Sequence, residues 1–222
     1  MRAFALTRYF SLISLILVVL AGGLLGTLVR HQAIIQVEQL AGSQNLALTQ
    51  FLYKLLAPDV DVLIAHSAGK PGSELQNSRQ INLLHLKVNE LIRGSELAKV
   101  KIYNLQGTTV FSTEATQIGE DKSGNPGFIS AKNGESVSEL VHRDQFSATE
   151  GILSDVDLLS SYIPVRGQDG VVAVFEVYLD VTPLVVQIDR SFWRIGAIVF
   201  VVLGLLYVTL LLVVRHAQAA LS

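Results

Sequence analysis

Two uncharged apolar runs, residues 9–29 and 195–214, stand near opposite ends of this chain and confine everything else to the stretch between them. Each is about 20 residues long, which at roughly 1.5 Å per helical residue crosses the ~30 Å hydrocarbon core of a bilayer. Arg2, Arg8 and Arg30 flank the first, and Arg194 and Arg215 flank the second. All 19 acidic residues lie between Arg30 and Arg194, whereas the only charges outside are Arg2, Arg8 and Arg215. Short positive tails belong on the cytoplasmic side. The expected organisation is therefore a tail at 1–8, a first span at 9–29, an extracytoplasmic domain at 30–192, a second span at 193–214 and a second cytoplasmic tail at 215–222. Val19, Leu20 and Ala21 resemble a signal cleavage site, but the apolar stretch continues through Leu24, Leu25, Leu28 and Val29. A signal-peptide core is shorter, about 7–15 residues, so the run reads as an anchor.

The enclosed segment is long enough to bury one core without staples. The chain has no cysteine, which excludes thiol catalysis, disulfides and Cys-containing metal sites. The acidity of the segment and its place outside the membrane argue against nucleic acid.

Residues 30–56 continue the first span as a helix, with Ile34, Val37, Leu40, Ala41, Leu48, Phe51, Leu52 and Leu55 at spacings of three and four. Gln44 and Asn45 interrupt this stripe, and Pro58 is expected to end the helix. Such a helix can cover its own domain and also dimerise, so a homodimer is expected. Residues 66–77 read as loop. A second helix is expected from Arg79 to Arg93, capped by Ser78 and stopped by Gly94, with Ile81, Leu84, Val88 and Leu91 on one face. From Lys99 the period becomes two. Val100 and Ile102 pair with residues 109–112 across a turn at 104–107. A short helix follows, with Asn125 as its cap, Pro126 in its first position and Gly134 past its end. Residues 137–141 form a third strand, and residues 160–166 pair with 171–179 across Gly167, Gln168, Asp169 and Gly170. After Thr182 and Pro183 the chain returns to helix.

This order resembles the single Cache domain, the PAS-like sensor module of bacterial histidine kinases, diguanylate cyclases and chemoreceptors. The stretches that carry it are VKIYNLQGTTVFST at 100–113, IGEDKSGNPGFISAKNGE at 118–135 and SYIPVRGQDGVVAVFEVYLDVTPLV at 161–185. The resemblance implies an α+β fold, a PAS-like five-stranded antiparallel sheet with a long N-terminal helix, flanked by two transmembrane helices. It also implies a periplasmic position and a place in two-component signalling. Residues 215–222 are too few for an output domain, so a kinase or cyclase in another chain or in a longer form is the expected cytoplasmic partner.

Sensor domains of this type are similar to PAS domains in holding small metabolites against the sheet, in a cup with a few convergent polar groups. On the last strand, Val172, Val174, Glu176, Tyr178 and Asp180 share one face, and Val171, Ala173, Phe175, Val177 and Leu179 share the other. The second face reads as core. On the first, Glu176, Tyr178 and Asp180 can meet a ligand or pair with a neighbouring strand, and the resemblance places a ligand-contacting acid of amine-binding relatives at Asp180. Tyr103, Tyr162 and Tyr178 can offer hydroxyls, against ordinary aromatic packing. Arg143, in the charged group His142-Arg143-Asp144 after the third strand, can bind a carboxylate bidentately, against a solvated loop cluster. The expected ligand-contacting set is Tyr103, Arg143, Tyr162, Tyr178 and Asp180, and the expected ligand is an organic acid, an amino acid or an amine. Asp121, Ser123 and Asn125 have the oxygen spacing of a calcium loop, but Pro126 and Lys132 stand where such a loop needs Gly and Glu, so no metal is expected. No cofactor motif and no catalytic constellation is present. The expected function is a sensor, not an enzyme, with a ligand-free envelope interaction or assembly protein as the alternative.

Overall fold

The computed structural model describes residues 2–67, 72–167 and 170–220. In chain order the elements are α1 (Arg2–Ser67), α2 (Gly72–Gln76), α3 (Arg79–Ile92), β1 (Leu97–Tyr103), β2 (Thr109–Ser112), a 3₁₀ turn (Ala115–Gln117), α4 (Pro126–Lys132), β3 (Val137–Ala148), β4 (Gly151–Gly167), β5 (Gly170–Asp180) and α5 (Thr182–Ala220). They form two compact units, one of residues 1–35 with 184–222 and one of residues 36–183.

The first unit consists of the apolar parts of α1 and α5, two helices long and apolar enough to cross a membrane. Leu17, Leu24, Ile198 and Leu205 are among the many large apolar side chains left exposed there. Arg30 Nε donates to Asp189 Oδ1 at 2.7 Å. The Phe192 ring lies so close to Gly26 that a Cβ on that glycine would come within 2.9 Å of it.

In the second unit α1 does not stop at Pro58, as expected, but runs through it to Ser67. The proline removes one backbone donor and costs ~3 kcal/mol in a helix interior. Leu56, Val60 and Leu63 around it are all buried, each contributing about 1.5–3 kcal/mol, so packing outweighs the break. The buried face of α1 is Ala41, Asn45, Thr49, Leu52, Leu56, Val60 and Leu63, at spacings of three and four. Asn45 thus belongs to that face rather than interrupting it, because its Nδ2 donates to Ser161 Oγ at 2.9 Å. Leu40, Leu48, Phe51 and Leu55 lie on a separate, exposed stripe.

The expected loop before α3 contains the short helix α2, which buries Leu75. Residues 68–71 lie outside the described residues. Ser78 Oγ caps α3 by accepting the Ile81 N–H, and Gly94 past its end has φ +71°. The buried residues of α3 are Ile81, Leu84, Val88 and Ile92. Leu91, expected on this face, is 43% exposed. Ser78→Ala is expected to cost about 1 kcal/mol, seen as reduced hydrogen-exchange protection of the residues 36–183 unit.

The sheet has the order β2-β1-β5-β4-β3, with every neighbouring pair antiparallel. Five strands were expected, but β3 and β4 are longer than their apolar alternation indicates. They remain paired from His142↔Asp157 to Ala148↔Gly151, and β1 holds their turn, since Thr149 N and Oγ1 both donate to Ala98 O. His142, Arg143 and Asp144 consequently lie within β3 and not in a loop after it. Gly167 pairs with Gly170 at the next hairpin, while Gln168 and Asp169 of the expected Asp-Gly turn lie outside the described residues. Asn125 Oδ1 accepts the Phe128 N–H to cap α4, and Gly134 has φ +98°, as the sequence indicates.

One face of the sheet carries Val100, Ile102, Phe175 and Ile163 and meets the helices, with the Tyr53 ring edge-on to Phe175 and His85 of α3 beside Phe111. The other face carries Lys99, Lys101, Tyr103, Val174, Glu176 and Tyr178. Phe128 and Ala131 of α4 pack there with Tyr103 and Val174.

Candidate functional site

Strand register assembles the site. Glu176 on β5 pairs with Lys101 on β1 and Tyr162 on β4, and Tyr178 pairs with Lys99 and Ser160. Residues two apart share a face, so these side chains and Tyr103 gather on the α4 side of the sheet.

Glu176, 1% exposed, is the centre of the group. Its Oε2 accepts the Tyr103 hydroxyl. Its Oε1 accepts from Tyr178 at 2.7 Å and from Ser160 at 3.4 Å, and Tyr162 lies opposite it in the ladder. Burial, then the Glu176 charge, pushes all three tyrosines well above the ordinary phenol range. They remain protonated donors at any physiological pH.

Two lysines lie beside this group, their side chains buried. Lys99 Nζ is 2.6 Å from Glu114 Oε2 and 4.4 Å from the centre of the Phe146 ring. The hydrogen bond from Lys99 holds the Glu114 carboxyl below its usual range. Lys101 Nζ is 4.0 Å from Glu120 Oε2. Burial pulls the Lys101 ammonium down, and the charges of Glu176 and Glu120 oppose that shift. Both glutamates belong to the segment between β2 and α4, which the lysines thereby tie to the sheet. The aromatic wall is tight: the Tyr103 ring is 5.8 Å from Phe128, edge-on, and stacks on Tyr162 at 6.4 Å. A Cβ on Gly127 would come within 2.4 Å of the Tyr162 ring.

Three of the five expected site residues, Tyr103, Tyr162 and Tyr178, converge on Glu176. Arg143 is an exposed residue of β3, and its charge restrains the upward shift of the Tyr178 hydroxyl. Asp180 Oδ1 accepts the Thr182 N–H at 2.9 Å, where α5 begins. The expected set omitted Glu176, although it had been placed on the correct face, and also Lys99 and Lys101. The period-two spacing of Lys99, Lys101 and Tyr103 on one strand was the signal that could have found the lysines.

No family model matches the sequence, and no curated protein matches it. Solved structures do resemble it. The DcuS sensor domain of E. coli is 19% identical, over 68% of this chain and 98% of its own, with a TM-score of 0.43. The sensor domain of the V. cholerae histidine kinase DctB is also 19% identical, over 75% of this chain and 60% of its own, with a TM-score of 0.40. Both are sensor domains. The chain has the α+β class expected of it, with a five-stranded antiparallel sheet, a long N-terminal helix and a C-terminal apolar helix. What its own site offers chemically is one buried carboxyl ringed by hydroxyl donors, next to two ammonium groups whose partners come from a covering segment.

Proposed function

We propose that this chain is the membrane-anchored input module of a bacterial signalling pathway, with both termini cytoplasmic. It binds a small metabolite on the Glu176 face and relays its state through the second span. The observation that carries this reading is the group of buried ionisable side chains, Lys99, Lys101 and Tyr103 of β1 with Glu176 of β5, gathered beside a strand that leads, two residues beyond Asp180, into α5. A ligand carboxylate can replace Glu114 or Glu120 on Lys99 or Lys101, and a ligand ammonium can compete for Glu176, so organic acids, amino acids and amines all find a counter-group here. Release of Glu114 or Glu120 would free the covering segment and give two states with different ligand affinity, which is what a ligand needs to shift an equilibrium. The exposed stripe of Leu40, Leu48, Phe51 and Leu55 on α1 fits a second copy of the chain. The output partner is a kinase or cyclase in another chain or in a longer form.

A thermal-shift screen of the full chain in detergent against organic acids, amino acids and amines tests this reading. A ligand at a hundred times its dissociation constant is expected to stabilise the protein by about 2.7 kcal/mol, and Lys99→Met with Lys101→Met should abolish that shift for an organic acid. A flat response over the whole panel would sink direct sensing. It would favour an envelope interaction or assembly protein, a reading supported by the closure of the Glu176 network by the chain's own hydroxyls. Crosslinking in membranes would then recover a stoichiometric heterologous partner.

A further inference from the structure

A second ionisable cluster lies on β3 and β4, on the face opposite Glu176. His142 pairs with Asp157 in the ladder, and its Nδ1 is 3.0 Å from Asp157 Oδ1. Its Nε2 is 3.6 Å from Asp155 Oδ1 and 3.8 Å from Asp144 Oδ1. The charged groups facing the ring are thus one carboxylate from its own strand and two from β4. Asp144 and Asp155 lie across from each other, between the pairs Arg143↔Val156 and Gln145↔Ser154. Like charges so placed destabilise a strand pair, and a cation between them relieves the repulsion. Among the described residues Asp155 alone, glycines aside, has a positive φ, +55°.

Asp157 also touches the start of α5. Its N–H donates to Thr182 Oγ1 at 2.9 Å, and its carbonyl accepts the Val181 N–H at 2.9 Å. One residue therefore binds the histidine ring through its side chain and the root of α5 through its main chain.

We propose that the His142–Asp157 pair is a proton-sensing contact that sets how firmly β4 holds the start of α5, so that pH is an input separate from any metabolite. The charge on the ring is set by this geometry: the hydrogen bond that Nδ1 donates to the Asp157 carboxylate holds the imidazole above the ordinary histidine range, against desolvation and with support from the charges of Asp157, Asp155 and Asp144. A raised folded-state value means that the contact is at full strength below the unfolded value of about 6.5 and is lost as pH rises through the folded value. Each unit of difference between the gripping and released arrangements shifts their ratio by about tenfold. The ring is 52% exposed, and water screens the pair, so the shift falls within that limit.

The test is hydrogen exchange of the full chain in lipid nanodiscs from about pH 5.5 to pH 8, corrected for intrinsic exchange, with and without EDTA. Protection of the Asp157 and Val181 amides should fall about three- to tenfold as pH rises, identically in both buffers. His142→Gln, at an exposed strand position, should remove the pH dependence. Asp144→Asn with Asp155→Asn keeps the Asp157 bond and should move the transition to lower pH, which a purely structural role would not do. The proposal is overturned by unchanged protection in the native sequence, by a transition that survives His142→Gln, by one that Asp144→Asn with Asp155→Asn leaves in place, or by one that EDTA abolishes, since a bound cation would then be the input.

Discussion

Glu176→Ala should destabilise the residues 36–183 unit by about 3–5 kcal/mol, because it removes one partner of a buried polar network and leaves the others desolvated. The Tyr103 and Tyr178 hydroxyls lose their acceptor, at about 1–3 kcal/mol for each buried group left unpaired. Lys101, whose ammonium the Glu176 charge supports, loses that support as well. Glu176→Gln keeps an acceptor oxygen and should recover part of the loss. The decisive measurement is a double-mutant cycle with Tyr103→Phe, read by denaturant unfolding. Once the carboxyl is gone the tyrosine hydroxyl is an unpaired buried donor, so its removal should cost much less than in the native background. If Glu176→Ala costs under about 1 kcal/mol, the carboxyl is not what organises this face.

The sequence disclosed what local chemistry decides. Asn125, Pro126 and Gly134 bound α4 because capping and positive φ act within a few residues. The alternation on β5 told its two faces apart, because pleat alone sets that. Pro58 misled because its cost is local, whereas the burial of Leu56, Val60 and Leu63 that outweighs it comes from the rest of the fold. The added lengths of β3 and β4 were hidden for a similar reason. Residues 142–147 of β3 are mostly exposed and show no buried alternation, and their strand geometry comes from pairing with β4 and from the tie of Thr149 to Ala98. The convergence of Tyr103, Tyr162 and Tyr178 required the registers of β1, β4 and β5 together, and no window of sequence contains these. Composition along β5 gave the right face for Glu176, but only Lys101↔Glu176 and Tyr162↔Glu176 show that this residue is the centre.

Phe175→Ala should be comparably damaging, at about 3–5 kcal/mol, by a different mechanism on the opposite face. Phe175 is 1% exposed, pairs with Ile102 and Ile163 in the ladder, and takes the Tyr53 ring edge-on at 6.3 Å. Truncation leaves a cavity between sheet and helix that the strands cannot close without giving up hydrogen bonds. The adjoining part of α1 offers little to compensate. Asn45 reaches Ser161, but Asn45 Oδ1 and Thr49 Oγ1 have no partner among the described residues, so adhesion there depends on the aromatic pair and Leu52. Phe175→Leu fills most of the volume and should cost less than about 1.5 kcal/mol. In Phe175→Ala, exchange protection should fall first in α1 residues 45–56, while the Glu176 network on the other face keeps its tyrosine hydrogen bonds. Equal loss on both faces would mean that the sheet yields as one body. Loss confined to α1 would mean that the helix can loosen from a sheet whose site remains assembled.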